Sequence, residues 1–176
     1  VYPNSRNTVV ELDAKLAEYV REWFDIPKSP RVKIRVGDAG TVTRSFAPAS
    51  RDVVIRDVFA VDKTPAELTS VDFVRAVDHS MAPGGLYILN CGDGPSLDGA
   101  RAEVAALFEV FEQVCLVADA AMFKGRRRGN IIIAASHSPL PAAGSAEAAA
   151  ISRTLMGGGV PAQYRDSAQA RQFARL

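Results

Sequence analysis

Residues 51–57 read Arg-Asp-Val-Val-Ile-Arg-Asp, three consecutive β-branched residues closed at each end by an Asp and an Arg. Such residues are stiff in a helix and pack well on a pleated surface, so the run predicts a strand. A short apolar run of this kind is expected to be buried on both faces, the habit of a parallel sheet. Ligands of open parallel sheets bind beyond the carboxyl ends of the strands. Asp57 stands at that end and is the first candidate functional residue, whereas Asp52 is expected to be a solvated strand-entry residue.

The same logic places two more carboxylates. Thr8–Leu12 is a β-branched run that predicts a strand ending at or near Glu11. Asp13 is suited to cap the helix that follows, where Leu16, Ala17, Val20, Trp23 and Phe24 recur at helical spacing. Pro27 and Pro30 stop that helix. Arg31–Val36 alternates basic and apolar residues, as in a strand with one side exposed, and runs into Gly37-Asp38-Ala39-Gly40. Asp38 is the second candidate, although a turn aspartate looks the same in sequence.

Further along, Thr64-Pro-Ala-Glu67 has the pattern of a capping box, and Phe73, Val74 and Val77 make a buried helical stripe up to Pro83-Gly84-Gly85. Leu86–Leu89 predicts a buried strand that ends in the polar, glycine-rich Asn90-Cys91-Gly92-Asp93-Gly94. Ser96 is placed to cap a helix carrying Ala100, Val104, Leu107, Phe108 and Phe111 on one face. Gln113–Val117 and Ile131–Ala134 predict a terminal strand pair around the turn cluster 125–130. From Ser138 the composition shifts to proline, alanine and glycine, and two alanine-rich helical segments follow near Ala146–Leu155 and Asp166–Leu176. The alternation predicts an α/β fold, an open and mostly parallel sheet with helices on both faces and a terminal antiparallel strand pair.

Composition narrows the function classes. Of 176 residues, 48% are apolar and 23% charged, and 21 basic against 20 acidic residues leave a net charge of +1, so no global field favours a nucleic-acid or membrane partner. The one dense basic run, Arg126–Arg128, reads as a solvated hairpin tip, with phosphate contact as the alternative. Cys91 and Cys115 make neither a disulfide framework nor a zinc spacing, and no metal is implied. With no long uncharged apolar stretch and no signal-peptide pattern at the start, a cytoplasmic protein is the default expectation. His79 near a helix end and His137 in a loop are assigned no catalytic role, and Tyr87, Tyr164 and Trp23 are expected to pack.

Glu11, Asp38 and Asp57 thus close three successive strands, 27 and 19 residues apart. A carboxylate at such a position accepts two hydrogen bonds from a vicinal diol, the chemistry of ribose recognition. With Val9-Val-Glu-Leu-Asp13, Val36-Gly-Asp-Ala39, Asp52-Val-Val-Ile-Arg-Asp57, Ala82-Pro-Gly-Gly-Leu86 and Arg127-Arg-Gly-Asn-Ile131, the sequence resembles the spermidine synthase family over roughly residues 1 to 136. These are polyamine aminopropyltransferases on the Rossmann-like class I S-adenosylmethionine-dependent methyltransferase fold. The resemblance implies a nucleoside-binding α/β domain over residues 1–137, with 138–176 a linker and C-terminal helical extension. It implies that Glu11 binds the ribose, that Asp38, with Ala39 beside it, meets the adenine amino group, and that Asp57 is the catalytic residue beside the reacting amine.

The co-substrate implied is decarboxylated S-adenosylmethionine, or S-adenosylmethionine itself, and the partners are a small nucleoside and an amine, with a homodimer among the assemblies allowed. Two departures from the family pattern carry information. Where the family's loop commonly reads Asp-Ser-Ser-Asp-Pro, this chain has Asp57-Val58-Phe59-Ala60-Val61, leaving Asp62 and Asn90 as weaker substrate-binding candidates. Such a loop is more apolar than one built for a dication, so the amine need not be putrescine. The glycine-rich nucleotide loop and the strand before it, expected ahead of Glu11, are not in the sequence, and a longer protein with a further N-terminal part is the expectation. The alternatives are a methyltransferase and a non-catalytic nucleoside-binding relative.

Overall fold

The structure is a computed structural model that describes residues 4–61 and 63–176. It divides into two units, residues up to Phe46 and residues from Ala47 onward. In the first, strands β1 (Asn7–Glu11) and β2 (Val32–Val36) pair in parallel, Glu11 opposite Val36, around helix α1 (Ala14–Trp23). Asp13 caps α1, its carboxylate accepting from the Lys15 and Leu16 amides at 2.8 and 3.1 Å. Of the apolar stripe expected on α1 only Ala17 is buried. Trp23 is 63% exposed and stacks on Tyr19 with ring centroids 4.9 Å apart. A short helix, α2 (Ala39–Arg44), follows β2 with Asp38 as its cap.

The second unit holds β3 (Arg51–Arg56), α3 (Val71–Ser80), β4 (Met81–Asp93), α4 (Asp98–Phe108), β5 (Gln113–Ala118), α5 (Ala120–Phe123), β6 (Gly129–Ser136), α6 (Ala146–Met156), β7 (Gln163–Arg165) and α7 (Ser167–Ala174). Its sheet has the order β3-β4-β6-β5-β7. Strands β3 and β4 are parallel, and β6 lies antiparallel between β4 and β5, which is the terminal antiparallel pair expected from the turn cluster. The core forms where the helices lie on this sheet, from Val77 of α3, Val104 and Leu107 of α4, Val114 and Leu116 of β5, and Ile131 and Ile133 of β6, all fully buried.

Several expectations change. β3 is not buried on both faces: it is the edge of its sheet, paired only with β4 among the described residues, and Val53 and Ile55 are 50% and 70% exposed. Strand alternation turns Val54 and Arg56 inward, and Arg56 alone is fully buried. Thr64 to Glu67 forms no capping box; Ala66–Leu68 is a single 3₁₀ turn, and α3 starts later, where the Ser70 hydroxyl accepts from the Phe73 amide at 3.2 Å. Pro83-Gly84-Gly85 does not lie in a loop between helix and strand. α3 ends directly into β4, and these residues fill an irregularity between the Arg51–Met81 and Val53–Leu86 pairings.

Ser96 is not the cap of α4. Leu97 occupies that position in left-handed backbone without a side-chain bond, and Asp93 supplies the acceptor from β4, bonding the Ala100 amide at 2.8 Å and the Gly94 amide at 2.7 Å. The C-terminal segment joins the sheet: β7 pairs antiparallel with β5, and α7 packs on α4 and β5, burying Ala170 and Phe173. Asp166 and Gln169 close a reciprocal capping box at the start of α7.

Candidate functional site

Each unit carries part of the expected constellation. In the first, the parallel register of β1 and β2 brings the ends of the two strands to one sheet edge, where the Gly37 amide donates to the Glu11 carbonyl at 2.9 Å. Glu11 Oε1 accepts from the Asp13 amide at 2.8 Å. That bond engages one carboxylate oxygen. Asp38 Oδ1 accepts from the Thr41 amide at 2.7 Å and so caps α2, of which Ala39 is the first residue. The Thr41 amide, the largest of several influences, holds the exposed Asp38 carboxyl below its usual range. Glu11 keeps an oxygen outside its local bond, as hydroxyl donors of a ligand require, whereas Thr41 and Gly40 both bond the Asp38 carboxylate.

In the second unit Asp57 follows directly on β3, in register with Asn90 of β4, since Arg56 pairs with Leu89. Asn90 Nδ2 donates to Asp57 Oδ1 at 3.1 Å, while Asn90 Oδ1 is buried with no hydrogen-bond partner among the described residues. Asp57 thus offers an exposed carboxylate, and beside it the enclosed Asn90 Oδ1 is an unsatisfied acceptor that suits an N–H donor. Phe59 packs over Gly92, where a Cβ would lie 3.0 Å from the ring, so any larger residue there would push the ring outward. The loop closes on itself through the Ala60 amide, which donates to the Lys63 carbonyl at 2.8 Å, with Val61 in left-handed backbone and fully exposed. Asp62, named above as a candidate, lies outside the described residues.

Behind Asp57 lies an ion pair that the sequence reading did not find. Arg56 Nη2 meets Glu103 Oε2 at 2.6 Å and Arg56 Nη1 donates to the Leu68 carbonyl at 2.9 Å, with both charged side chains buried. Burial pushes the Glu103 carboxyl upward against the pull of Arg56. The neighbouring Cys91 thiol and Tyr87 hydroxyl are pushed up by burial as well, and the Tyr87 hydroxyl has no partner among the described residues. A signal was present: Ala100, Glu103, Val104 and Leu107 fall at helical spacing on one buried face of α4, which puts a carboxylate in the core.

His137 is likewise more than a loop residue. Nε2 meets Asp78 Oδ1 of α3 at 2.8 Å, Nδ1 contacts Glu112 Oε2, and the ring rests on Phe111 with centroids 5.0 Å apart. The basic run is exposed at all three arginines, and Arg127 in addition bonds Asp119 at 2.5 Å. Among the described residues no group of three or more His, Cys, Asp or Glu could hold a metal ion, and no helix is long and apolar enough to cross a membrane.

No family model matches this sequence. The chain is similar to the crystal structure of a probable spermidine synthase from Corynebacterium glutamicum, at 58% identity and a TM-score of 0.95, covering 98% of this chain and 62% of that one. A structure of human methyltransferase-like protein 13 in complex with SAH has the same fold, with a TM-score of 0.62 at 21% identity, over 99% of this chain and 73% of that one. Among curated proteins, an eEF1A lysine and N-terminal methyltransferase of Mus musculus is 30% identical over 118 residues, 61% of this chain. A probable polyamine aminopropyl transferase of Bifidobacterium longum is 27% identical over 115 residues, again 61% of this chain. The chain spans 17% and 24% of those two curated relatives. On sequence and fold together, this chain is similar to a probable spermidine synthase and has the class I methyltransferase fold.

Proposed function

We propose that the protein is an aminopropyltransferase that moves an aminopropyl group from decarboxylated S-adenosylmethionine to an amine. The observation that carries this reading is the Asp57–Asn90 pair, a carboxylate just past the end of β3 beside an unpartnered amide oxygen of the parallel strand β4. In such a reaction the amine nitrogen attacks the methylene carbon next to the sulfonium. The C–N bond forms as the C–S bond breaks, the electron pair stays on sulfur as a neutral thioether, and a proton leaves the amine.

Asp57 is the residue that orients the amine and takes that proton, and Asn90 Oδ1 accepts a second N–H and so fixes the lone pair on the line of attack. A sulfonium is a good leaving group, so positioning and a base are the main requirements. Glu11 and Asp38 are the residues proposed for the ribose hydroxyls and the adenine amino group. The similarity at 58% identity to a probable spermidine synthase supports the reaction class.

Val58, Phe59 and Ala60 line the chain after Asp57 where a second acid would be needed to hold a far ammonium. An unpaired ammonium buried against such residues costs several kcal/mol. The acceptor proposed is therefore an amine with an apolar body, ahead of a diamine. A second reading, methyl transfer from S-adenosylmethionine, is supported by the match to a protein methyltransferase over 118 residues.

Asp57→Asn in the full-length protein separates these outcomes. Release of methylthioadenosine from decarboxylated S-adenosylmethionine should fall by at least about 100-fold, with calorimetric binding of methylthioadenosine unchanged. Retained turnover removes Asp57 from the mechanism. Tighter binding of S-adenosylmethionine than of its decarboxylated form favours methyl transfer, and no binding of either favours a non-catalytic relative.

A further inference from the structure

A cavity of about 400 Å³ lies where α4, α5, β7 and α7 meet, and three arginines line it: Arg101 of α4, Arg165 of β7, and Arg175 at the end of α7. Two buried rings, Phe123 and Phe173, set edge to face with centroids 6.3 Å apart, form part of its wall. The Arg165 guanidinium lies 3.9 Å from the centre of the Phe123 ring and 6.0 Å from that of Phe173, and the Arg101 guanidinium lies 5.5 Å from Phe173. A cation over a ring uses the face of the guanidinium and leaves its in-plane N–H donors unspent.

Counter-charges are few. No Asp or Glu side chain is among the described residues lining the cavity, and none of the described residues forms an ion pair with Arg165 or Arg175. Arg101 has one carboxylate neighbour, the exposed Asp98 at 3.8 Å, and donates through Nη1 to the Ser96 carbonyl at 2.6 Å, while its Nε is buried without a partner. Partial burial lowers the Arg165 pKa, as it does for a cation removed from water without an anion beside it. Gln169 and Gln172 of α7 add neutral donors and acceptors along the wall.

We propose that this cavity is an anion site for a multiply charged phosphate, such as pyrophosphate or the diphosphate of a nucleotide. Three guanidinium groups offer the fork geometry that matches phosphate oxygens, and the volume falls within the range of small-molecule sites. The charge of such a ligand relieves the mutual repulsion of three cations around one cavity. The proposal does not depend on the transferase reading, because none of Glu11, Asp38, Asp57 or Asn90 lines the cavity.

Calorimetry of the full-length protein at low salt tests it, with inorganic pyrophosphate in one arm and ADP in the other. Saturable one-to-one binding is expected, weakened by about tenfold or more in Arg165→Gln and in Arg175→Gln, and unchanged in Arg153→Gln on α6. Arg175 is exposed at a helix end, so its variant, with an unaltered melting temperature, carries the test if Arg165→Gln disturbs the packing of Phe123. Tighter binding of ADP than of pyrophosphate identifies a nucleotide as the source of the phosphate, and equal binding identifies the free anion. The absence of saturable heat, or equal weakening in Arg153→Gln, overturns the proposal.

Discussion

Arg56 and Asp57 are sequence neighbours whose side chains take opposite fates, one 4% exposed inside the sheet and the other open at its edge. The inward guanidinium is held by Glu103 and the Leu68 carbonyl, which ties the end of β3 to α4 and to the turn before α3. Removing one member of a buried pair leaves the other charge without compensation. Arg56→Ala is therefore expected to cost about 3–5 kcal/mol of stability, whereas Arg56→Met with Glu103→Leu recovers most of it. Denaturant unfolding of the two variants checks this; a double variant no more stable than the single would show that the pair contributes more than charge balance. At the same scale, Asp57 and Asn90 were legible in sequence as acid and amide at strand ends. Their mutual hydrogen bond was not, since it depends on the register of β3 against β4.

Among the elements, the helices show how far a local pattern reaches. Asp13 could be read as a cap because its acceptor serves amides two and three residues ahead. Asp93 could not, because it reaches from a strand across a turn to the Ala100 amide. Asp93→Ala should cost about 1–2 kcal/mol by loss of this bond, while Ser96→Ala should leave the thermal midpoint unchanged; the reverse order would return the cap to Ser96.

His137 joins α3 and the turn between α4 and β5 in the same non-local way. Desolvation alone would lower its pKa, but the hydrogen bonds and charges of Asp78 and Glu112 outweigh it and raise it above the ordinary histidine value. A folded-state pKa above the unfolded one contributes stability that is fully present below the unfolded value of about 6.5 and is lost as pH rises through the folded value. The Glu112 carboxyl, held low chiefly by the His137 hydrogen bond, limits the effect on the acid side, where its contribution disappears as pH falls through its own folded value. The stability difference between the parent and His137→Gln should thus be largest in mildly acidic solution and shrink above pH about 7. Unfolding midpoints across that range would reveal a flat difference if the clamp carries no charge.

At the level of the whole molecule, residues 138–176 read in sequence as a linker and two alanine-rich helices, with no sign of whether they pack on the core or on a partner. In the structure β7 extends the sheet beside β5, and α7 covers α4 and β5 with Ala170 and Phe173. Deleting residues 157–176 from the full-length protein should therefore expose the β5 edge and the arginine-lined cavity wall and abolish cooperative thermal unfolding. A truncated protein that melts like its parent would make the segment dispensable. A three-residue strand such as Gln163–Arg165 carries no readable periodicity, and its identity as a strand comes from its partner.

What the sequence by itself determined is what local chemistry dictates: the longer strands and helices in their order, the carboxylates closing three strands, the antiparallel return at 113–136, and a family resemblance resting on short contiguous motifs. Only the tertiary structure decided which face of a strand is covered and which polar groups meet. β3 has the composition of a strand buried on both faces, yet Val53 and Ile55 are open because burial belongs to neighbours and not to the run itself. The Arg56–Glu103 pair and the Asp57–Asn90 bond join residues 47 and 33 positions apart, and the cavity brings Arg101 to Arg165 and Arg175, 64 and 74 positions further on. Such contacts follow from strand register and helix packing, which no local pattern specifies.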